Sequence, residues 1–524
     1  MIGNVGEERQ VARAAGVIGA ATLLSRVLGF VRDMVVARAF GASHVADAFY
    51  VAYRIPSLLR ELFAEGSMSA AFVPVFTHTL TNQSREEARH LARAAFSLIL
   101  AVVSSITVLG VLFAPAIVSL IAPGFGDDPG QSELTAHLTR VMFPYLLWIS
   151  LAALAMGVLN SLRAFAAPAL SPALFNLSII ASVFFLAPFL DEPVVAVAWG
   201  VSVGGIAQLA VQLPALRRLG MSVAWSWQPD HPGLQRMGRL LLPTLAGLSV
   251  SQVNIFINTL LASYLVQGSV TYLYYAMRLV QFPLGVFGVA LSTALLPTLS
   301  SQAAKGDVQA LRDTVSFGLR LIVFISLPAM IGLIMLRVPI VHLIFEHGRF
   351  GAADTAGTAS ALLGYTVGLW AFAGVRVIVP VFYARQDTVT PVIAAILAVA
   401  TNIGASLALM GPFGHAGLAL ATALASALNF LVLLAVLHRR LNRFGGRRIA
   451  RSAFQSLMAS IPTAVIGGLM SAMAIWTEPG AWLAKALLIA GGIGASAASY
   501  GALQALWRNE EARFVWQLLR RRSA

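Results

Sequence analysis

Charged side chains stand inside some of the most apolar stretches of this sequence. The segment SRVLGFVRD (25–33) carries Arg26, Arg32 and Asp33 between two hydrophobic runs. Arg26 and Asp33 are seven residues apart, so on a helix of 3.6 residues per turn they share one face. A guanidinium group can make two parallel hydrogen bonds to a phosphate, which a lysine ammonium cannot. The chemistry that these residues indicate is recognition of a phosphate-bearing anion.

A second charged stripe follows in the next apolar segment. Asp47, Arg54 and Glu61 repeat at intervals of seven, and Glu65 continues the same face. Successive members of such a repeat lie within about 20° of one another around a helix. Two neighbouring helices are therefore predicted to present matching charged faces.

Composition places these helices in a lipid bilayer. Of 524 residues, 58% are hydrophobic and 11% are charged, with a mean hydropathy of +0.80. Soluble domains are about one quarter charged. Continuous apolar runs lack the strict alternation of membrane barrel strands, so the spans are predicted to be helices of about 20 residues. Fourteen windows meet this description: 15–37, 47–80, 94–122, 138–160, 170–188, 194–215, 240–263, 270–299, 315–336, 357–383, 391–410, 416–437, 452–475 and 482–506.

Intramembrane arginines need an explanation because each costs about 2.5–3.5 kcal/mol at a helix centre on insertion scales. One explanation is an internal ion pair or a side chain that reaches the interface. The other is an anionic ligand in a water-filled cavity, which we favour for Arg26, Arg32 and Arg54 because arginines outnumber the nearby acids. The first explanation is favoured for Arg38, Arg60 and Arg376.

The distribution of Lys and Arg predicts the orientation of the spans. With a cytoplasmic N-terminus, the inside segments carry 25 basic residues and the outside segments carry 5, as the positive-inside rule requires. Both termini are then cytoplasmic. The net charge of +14 serves topology and contacts with anionic headgroups, so nucleic acid is not expected as a partner. The charged N-terminus lacks the pattern of a removable signal peptide, so the first helix is expected to stay.

An enzyme lacks a catalytic constellation in this sequence. There is no cysteine and no GxxxxGK[ST] phosphate loop, and the nine histidines are scattered. No metal site or cofactor is expected, because the acids are too dispersed for metal-dependent phosphoryl transfer. Helices broken by Pro and Gly are unnecessary in a passive channel. A transporter of an anionic substrate is the remaining class.

Five motifs resemble a known family. They are SRVLGFVRD (25–33), DAFYVAYRIPSLLRELFAEGSMSAAFVPVF (47–76), YYAMRLVQFPLGVFGVALSTALLP (274–297), FEHGRF (345–350) and VFYARQDTVTP (381–391). Together they resemble the MurJ (MviN) family of bacterial lipid II flippases, within the multidrug, oligosaccharidyl-lipid and polysaccharide exporter superfamily. The similarity extends from about residue 10 almost to the C-terminus.

The resemblance implies an all-α polytopic protein of the bacterial cytoplasmic (inner) membrane with about 14 transmembrane helices, in which two six-helix lobes enclose a central cationic cavity. Pyrophosphate of lipid II would meet Arg26, Arg32, Arg54 and Arg278. The acids Asp33, Asp47, Glu61 and Glu65 would orient the arginines or gate the lobes. Partners would be lipid II and membrane phospholipids, with other cell-wall synthesis proteins as further candidates. The implied order is a cytoplasmic N-terminus (1–14), an N-terminal lobe (15–215), a cytoplasmic linker (216–239), a C-terminal lobe (240–437), a basic cytoplasmic loop (438–451), two helices forming a lipid-tail groove (452–506) and a basic cytoplasmic tail (507–524).

The chain departs from the family pattern in two places. Many relatives have a segment like Tyr-Ala-Asp-Arg-Leu, whereas this chain has Met277 in place of the acid before Arg278. The spans 240–263 and 416–437 also contain no acid that could form a sodium site. Membrane potential is therefore expected to drive transport instead of a sodium site. Two alternatives are an exporter of another polyprenyl-linked oligosaccharide or of drugs and, from another class, a membrane enzyme acting on lipid phosphates.

Overall fold

A computed structural model describes residues 2–61, 66–221, 224–442, 444–476 and 480–522. All regular elements within these ranges are helical. The chain divides into two compact units, Met1–Gln267 and Gly268–Ala524.

The first unit contains eleven α-helices among its described residues. Helix α8 packs against α1 and α9, while α3 packs against α7 and α11. A Cβ at Gly200 would lie 2.9 Å from the Ile179 Cα, so glycine permits the close approach of α8 and α9 that membrane helices favour. The helices are α1 (Ile2–Phe40), α2 (His44–Arg60), α3 (Gly66–Asn82), α4 (Arg85–Leu112), α5 (Ala114–Ile121), α6 (Pro129–Met142), α7 (Tyr145–Ser161), α8 (Ala166–Phe185), α9 (Val194–Ala210), α10 (Leu213–Arg218) and α11 (Pro232–Ser263).

In the second unit, α14 is the common neighbour of α17, α19 and α20, and α16 packs against α12 and α18. A π-helical turn at Leu284–Gly288 joins α12 to α13. The helices described in this unit are α12 (Ser269–Pro283), α13 (Val289–Ala304), α14 (Val308–Met335), α15 (Arg337–Phe345), α16 (Ala352–Thr366), α17 (Leu369–Ala384), α18 (Val389–Leu441), α19 (Gly446–Ala459), α20 (Ile461–Ser471), α21 (Trp482–Leu506) and α22 (Glu510–Arg522).

Within the described ranges, eight helices are long and apolar enough to cross a membrane, or nine when the pair α16 and α17, bent by 44°, counts as one span. In their described residues, which leave out 62–65, the fourteen windows from the sequence fall on helical segments, and this agrees with an all-α membrane protein of about fourteen spans. The window 47–80 is divided between α2 and α3, and 270–299 contains the π-helical turn.

Helix α18 accounts for two windows at once. Its 53 residues would extend about 80 Å as one rod, far beyond a hydrocarbon core of about 30 Å. The helix breaks at Gly414, with φ 55° and ψ −134°, a conformation that glycine adopts without a Cβ clash. A Cβ at Gly417 would lie 2.2 Å from the Leu409 carbonyl oxygen, so the two halves approach closely beyond the break.

Candidate functional site

Arg32 is held inside the first unit by two polar partners. Its Nε and Nη2 donate to Asp33 Oδ1 at 3.0 and 2.6 Å, and its Nη1 donates to Asn176 Oδ1 at 3.1 Å. Arg32 is 7% exposed and Asp33 is 1% exposed. A buried charge of this kind is tolerated when it is paired and hydrogen-bonded. Asp33 and Asn176 thus fix the direction of the guanidinium.

Asn176 links α8 to α1 through both ends of its amide. Its Nδ2 donates to the Ser25 carbonyl at 3.0 Å while its Oδ1 accepts from Arg32. A Cβ at Gly29 would lie 3.4 Å from Asn176 Nδ2, so the amide lies directly against the backbone of α1. The SRVLGFVRD motif is therefore an α1 surface shaped around one asparagine of α8.

Arg26 and Arg54 are placed differently from Arg32. Arg26 is exposed on α1, and Arg54 is half-buried on α2. Among the described residues, neither guanidinium has a hydrogen-bond or ion-pair partner. Both lie in windows that the sequence predicts to span the membrane, 15–37 and 47–80.

The acids of α2 lie at its two ends. Asp47 is buried in the first turn, where Ser43 caps the helix by accepting from the Ala46 amide. Glu61 follows the last turn and accepts from Gln252 Nε2 of α11 at 2.6 Å. Seven residues of helix cover about 10.5 Å, so neither acid is level with the arginine midway between them. Glu65, the fourth predicted acid, lies outside the described residues.

In the second unit, Arg278 is half-buried on α12, with its Cζ 5.9 Å from the centre of the Tyr274 ring. The neighbouring Tyr275 is completely buried and stacks on Phe345 at 4.5 Å, while Phe350 meets it edge-on at 5.9 Å. The FEHGRF motif supplies both phenylalanines. Its aromatic rings thereby fix the turn of α12 that carries Arg278.

The predicted site residues therefore form separate groups. One hydrogen-bonded group contains Arg32 and Asp33 of α1 and Asn176 of α8. Arg26 lies on α1, Arg54 and Asp47 lie on α2, and Arg278 lies in the second unit. In the described part of the chain, no three His, Asp or Glu side chains are grouped in a way that could hold a metal ion. The arrangement can present fixed and available guanidinium groups to an anion.

Three partners of the charged residues, two amides and one aromatic ring, were not predicted from the sequence. Asn176 binds Arg32, Gln252 binds Glu61, and the Tyr274 ring lies against Arg278. An uncharged amide in an otherwise apolar window such as 170–188 was the available signal for Asn176, because a polar group in that setting needs a partner. Helix spacing alone gives no signal that α11 meets the end of α2.

Comparison with known proteins identifies the family. A family model described as lipid II flippase MurJ matches residues 36–490. A probable lipid II flippase MurJ of Vibrio cholerae is 36% identical over 507 residues, which are 94% of this chain and 96% of that protein. Lipid II flippase MurJ of Burkholderia cenocepacia is 38% identical over 432 residues, covering 82% and 84% of the two chains.

Solved structures agree with this result. A structure of lipid II flippase MurJ in an inward closed conformation has a TM-score of 0.77 and 27% identity, covering 94% of this chain and 99% of that one. An inward-facing multidrug transporter of the MATE family has a TM-score of 0.69 over 82% of this chain and 98% of that one. At 16% identity, the second likeness concerns the fold alone. The chain belongs to the MurJ family of lipid II flippases.

Proposed function

We propose that this protein moves lipid II, the undecaprenyl-pyrophosphate-linked peptidoglycan precursor, from the cytoplasmic to the periplasmic leaflet by alternating access. It acts as a transporter and not as an enzyme. Family membership over most of the chain supports this function. In this proposal the protein spans the inner membrane of a bacterium, with both termini in the cytoplasm.

The observation that carries the proposal is the state of Arg26 and Arg54. Both lie in sequence windows predicted to span the membrane, 15–37 and 47–80, and neither has a partner among the described residues. A pyrophosphate would compensate their charges and accept forked hydrogen bonds, which lowers the free energy of an otherwise costly arrangement. Direct contact with the substrate therefore falls first to these two arginines, and the family resemblance adds Arg278 as a third contact.

Arg32 has a different part in the proposed mechanism. Because Nε, Nη1 and Nη2 of Arg32 donate to Asp33 and Asn176 in this structure, its charge is paired, and it contacts the pyrophosphate only when the pair with Asp33 rearranges. The buried Asp47, Glu61 at the end of α2 and Glu65 orient the arginines or gate the movement of the helices that carry them.

Membrane potential drives the movement in this proposal. Carrying one charge across the membrane is worth about 2.3 kcal/mol per 100 mV. The spans 240–263 and 416–437 contain no acid that could hold sodium. Cavity charges and the anionic headgroup are then the groups on which the field acts.

The C-terminal helices would hold the lipid tail. Helices α20 and α21 pack together and expose long aliphatic side chains, including Val465, Leu469 and Leu487. An undecaprenyl chain is apolar along its length, so such a surface can accept it without desolvation of polar groups.

Transport by purified protein tests the proposed function. Liposomes containing the protein and fluorescent lipid II should show movement of lipid II between leaflets, faster with an imposed potential. Arg54→Ala should abolish the movement, while Arg140→Ala, an exposed residue at the end of α6, should leave it unchanged. Absence of movement by the native chain would reject the flippase function, and an unaffected Arg54→Ala would reject the proposed site.

A further inference from the structure

The described residues of the linker between α10 and α11, 219–221 and 224–231, contact the N-terminal turns of α4 within the first unit. At 1.5 Å per residue, Arg85 and Ser97 are about 18 Å apart along the axis of α4. Contacts at these two positions therefore show how far the linker extends along the helix. The linker contacts α4 at three levels: the Leu219 carbonyl accepts from Arg85 Nη2 at 2.7 Å, the Ser226 amide donates to Ser97 Oγ at 2.7 Å, and His231 Nε2 lies 3.3 Å from Glu87 Oε1.

The three contacts show that the linker reaches toward the apolar part of α4 and then returns to its first turn. It starts beside the first residue of α4, reaches Ser97 three turns further on, and is back beside Glu87 before α11 begins. Its tip is the tripeptide 225–227. Trp225 and Trp227 are 62% and 53% exposed, and their rings stack at 5.8 Å with an interplanar angle of 10°.

The depth of the tip is set by α4. The helix is charged up to Arg93 and apolar from Ala94 to Leu112, and it qualifies as a membrane span. Ser97 is one turn inside the apolar part, so the tip lies at the level where the apolar part of α4 begins. Arg93 and Arg89 lie one and two turns before Ser97 and put positive charge at the level of anionic headgroups.

Tryptophan is the residue type suited to this level. Its ring is large and apolar but carries an N–H donor, and it concentrates at the boundary between headgroups and acyl chains. In water the two exposed rings would form an apolar patch at the end of a loop. In the headgroup layer the same patch is solvated on both its apolar and its polar side.

We propose that Trp225 and Trp227 anchor the linker in the lipid headgroup layer, on the side of the membrane where Arg85 lies. The partner is the bilayer itself, with anionic lipids favoured by the arginines of α4. The anchor fixes the start of α11 against the membrane surface. This inference needs only that α4 spans a bilayer and is independent of what the protein transports.

Nitroxide accessibility tests the anchor without measuring transport. The native chain has no cysteine, so Trp225→Cys, Trp227→Cys and the matched control Asp230→Cys can each be spin-labelled. In vesicles of phosphatidylcholine and phosphatidylglycerol, labels at 225 and 227 should be more accessible to oxygen, which partitions into lipid, than to a water-soluble nickel chelate. The label at 230, which is exposed and next to the Glu87 level, should show the reverse.

A second comparison keeps the proposal testable if a label perturbs the tip. Ala224 is exposed, and Ala224→Cys leaves both tryptophans in place; its label should move from a lipid-like to a water-like accessibility when Trp225 and Trp227 are both changed to serine. Water-like accessibility at 224, 225 and 227 in the otherwise native protein would overturn the anchor, and would leave these rings as a surface for a protein partner.

Discussion

Arg32 and Asp33 are neighbours in sequence that form a buried ion pair. Side chains at adjacent helix positions diverge by about 100°, yet the long arginine side chain bends back to place two donors on one carboxylate oxygen. Burying both charges carries a desolvation cost that pairing offsets only when the geometry is good. Removing one partner should therefore be worse than removing both.

We predict that Asp33→Ala destabilises the protein by about 3–5 kcal/mol, since it leaves the Arg32 charge buried with Asn176 as a neutral partner. The double change Arg32→Leu and Asp33→Leu should recover most of that stability but not transport. Thermal unfolding of purified protein measures the first effect and the liposome assay measures the second. Glu133→Ala, an exposed position, is the control. A double variant no more stable than Asp33→Ala would contradict the buried-pair argument.

Arg278 allows a field effect to be separated from a forked hydrogen bond. We predict that Arg278→Ala abolishes rescue of cells depleted of their own lipid II flippase and that Arg278→Lys loses most of it, because lysine keeps the charge but not the bidentate geometry. Rescue is compared at matched expression, with Arg140→Lys as the control. Full rescue by Arg278→Lys would reduce the contribution of Arg278 to a point charge.

The same turn of α12 offers a gain-of-acid test. Met277 occupies the position at which the family motif has an aspartate, and its side chain is half-buried. We expect Met277→Asp to be tolerated, since it places a carboxylate beside Arg278. Loss of rescue comparable to that of Arg278→Ala would show that a carboxylate at position 277 is incompatible with the function of Arg278.

At the scale of elements, a chain of polar contacts ties α21 to α15 and α16. Lys485 is 3% exposed, and its Nζ lies 2.9 Å from His342 Nε2. His342 Nδ1 lies 2.9 Å from Glu346 Oε2, which also accepts from Thr355 Oγ1 at 2.5 Å. An ammonium is donor-only, so His342 accepts at Nε2 and donates from Nδ1. The FEHGRF glutamate thus connects the C-terminal helix pair to the rest of the second unit.

The two lysines of the chain make this contact measurable. Lys485 is buried in the polar chain, whereas Lys305 is exposed at the end of α13. We predict that an amine-reactive reagent modifies Lys305 readily and Lys485 only after unfolding, as read by peptide mass spectrometry. Lys485→Met should lower the unfolding temperature because it leaves His342 and Glu346 without their cation, and Lys305→Met should not. Equal modification of both lysines in the folded protein would contradict the contact.

A second group of polar contacts joins the residues at the start of α18 to its last turn. Asp387 accepts from the Thr390 side chain at 2.6 Å and from its amide at 2.9 Å, and Arg440 also bonds to its carboxylate. These hydrogen bonds, first those of Thr390 and then that of Arg440, lower the pKa of Asp387 from 3.8 to about 2. A carboxyl with a lowered folded-state pKa contributes stability that is present above its unfolded pKa and is lost as pH falls through the folded value.

Asp387→Asn should therefore lose less stability than the native chain between about pH 4 and pH 2. Near neutral pH the stabilities of the two proteins should differ by an amount that does not change with pH. Unfolding temperatures measured across this interval for the native chain and the variant test the expectation. Asp313→Asn, exposed on α14, is the matched control. An identical acid dependence in the native chain and Asp387→Asn would show that this carboxyl is not linked to folding.

The sequence predicts elements better than it predicts partners. Apolar length placed the predicted windows on helical segments, and the Pro412 to Gly414 interruption separated the two windows that share α18, because hydrophobic length and helix breakers are local properties. Partner choice depends on residues far apart in the chain. The spacing of seven suggested one face for Arg26 and Asp33, but Asp33 binds Arg32, and the third member of that group, Asn176, is 144 residues from Arg32.

At the scale of the whole molecule, the uneven distribution of charge predicts how the chain lies in the membrane. The segments predicted to lie inside carry 25 basic residues and those predicted to lie outside carry 5. The acidic stretch GDDPGQSE (126–133) belongs to the side with few basic residues. Basic segments beside helix ends are retained in the cytoplasm during insertion. The stretch 126–133 should therefore face the periplasm, and the start of α19 should face the cytoplasm.

Single cysteines in the naturally cysteine-free chain test this orientation directly. Glu133 is exposed, and Gly446 is exposed with no atom within 4 Å of an added Cβ, so Glu133→Cys and Gly446→Cys should both fold. In intact cells an impermeant thiol reagent should modify residue 133 and not residue 446, whereas both should react after the cells are opened. Opened cells therefore provide the control for reactivity. The reverse pattern in intact cells would invert the topology, and with it the side of the membrane from which Arg26 and Arg54 are expected to receive the substrate.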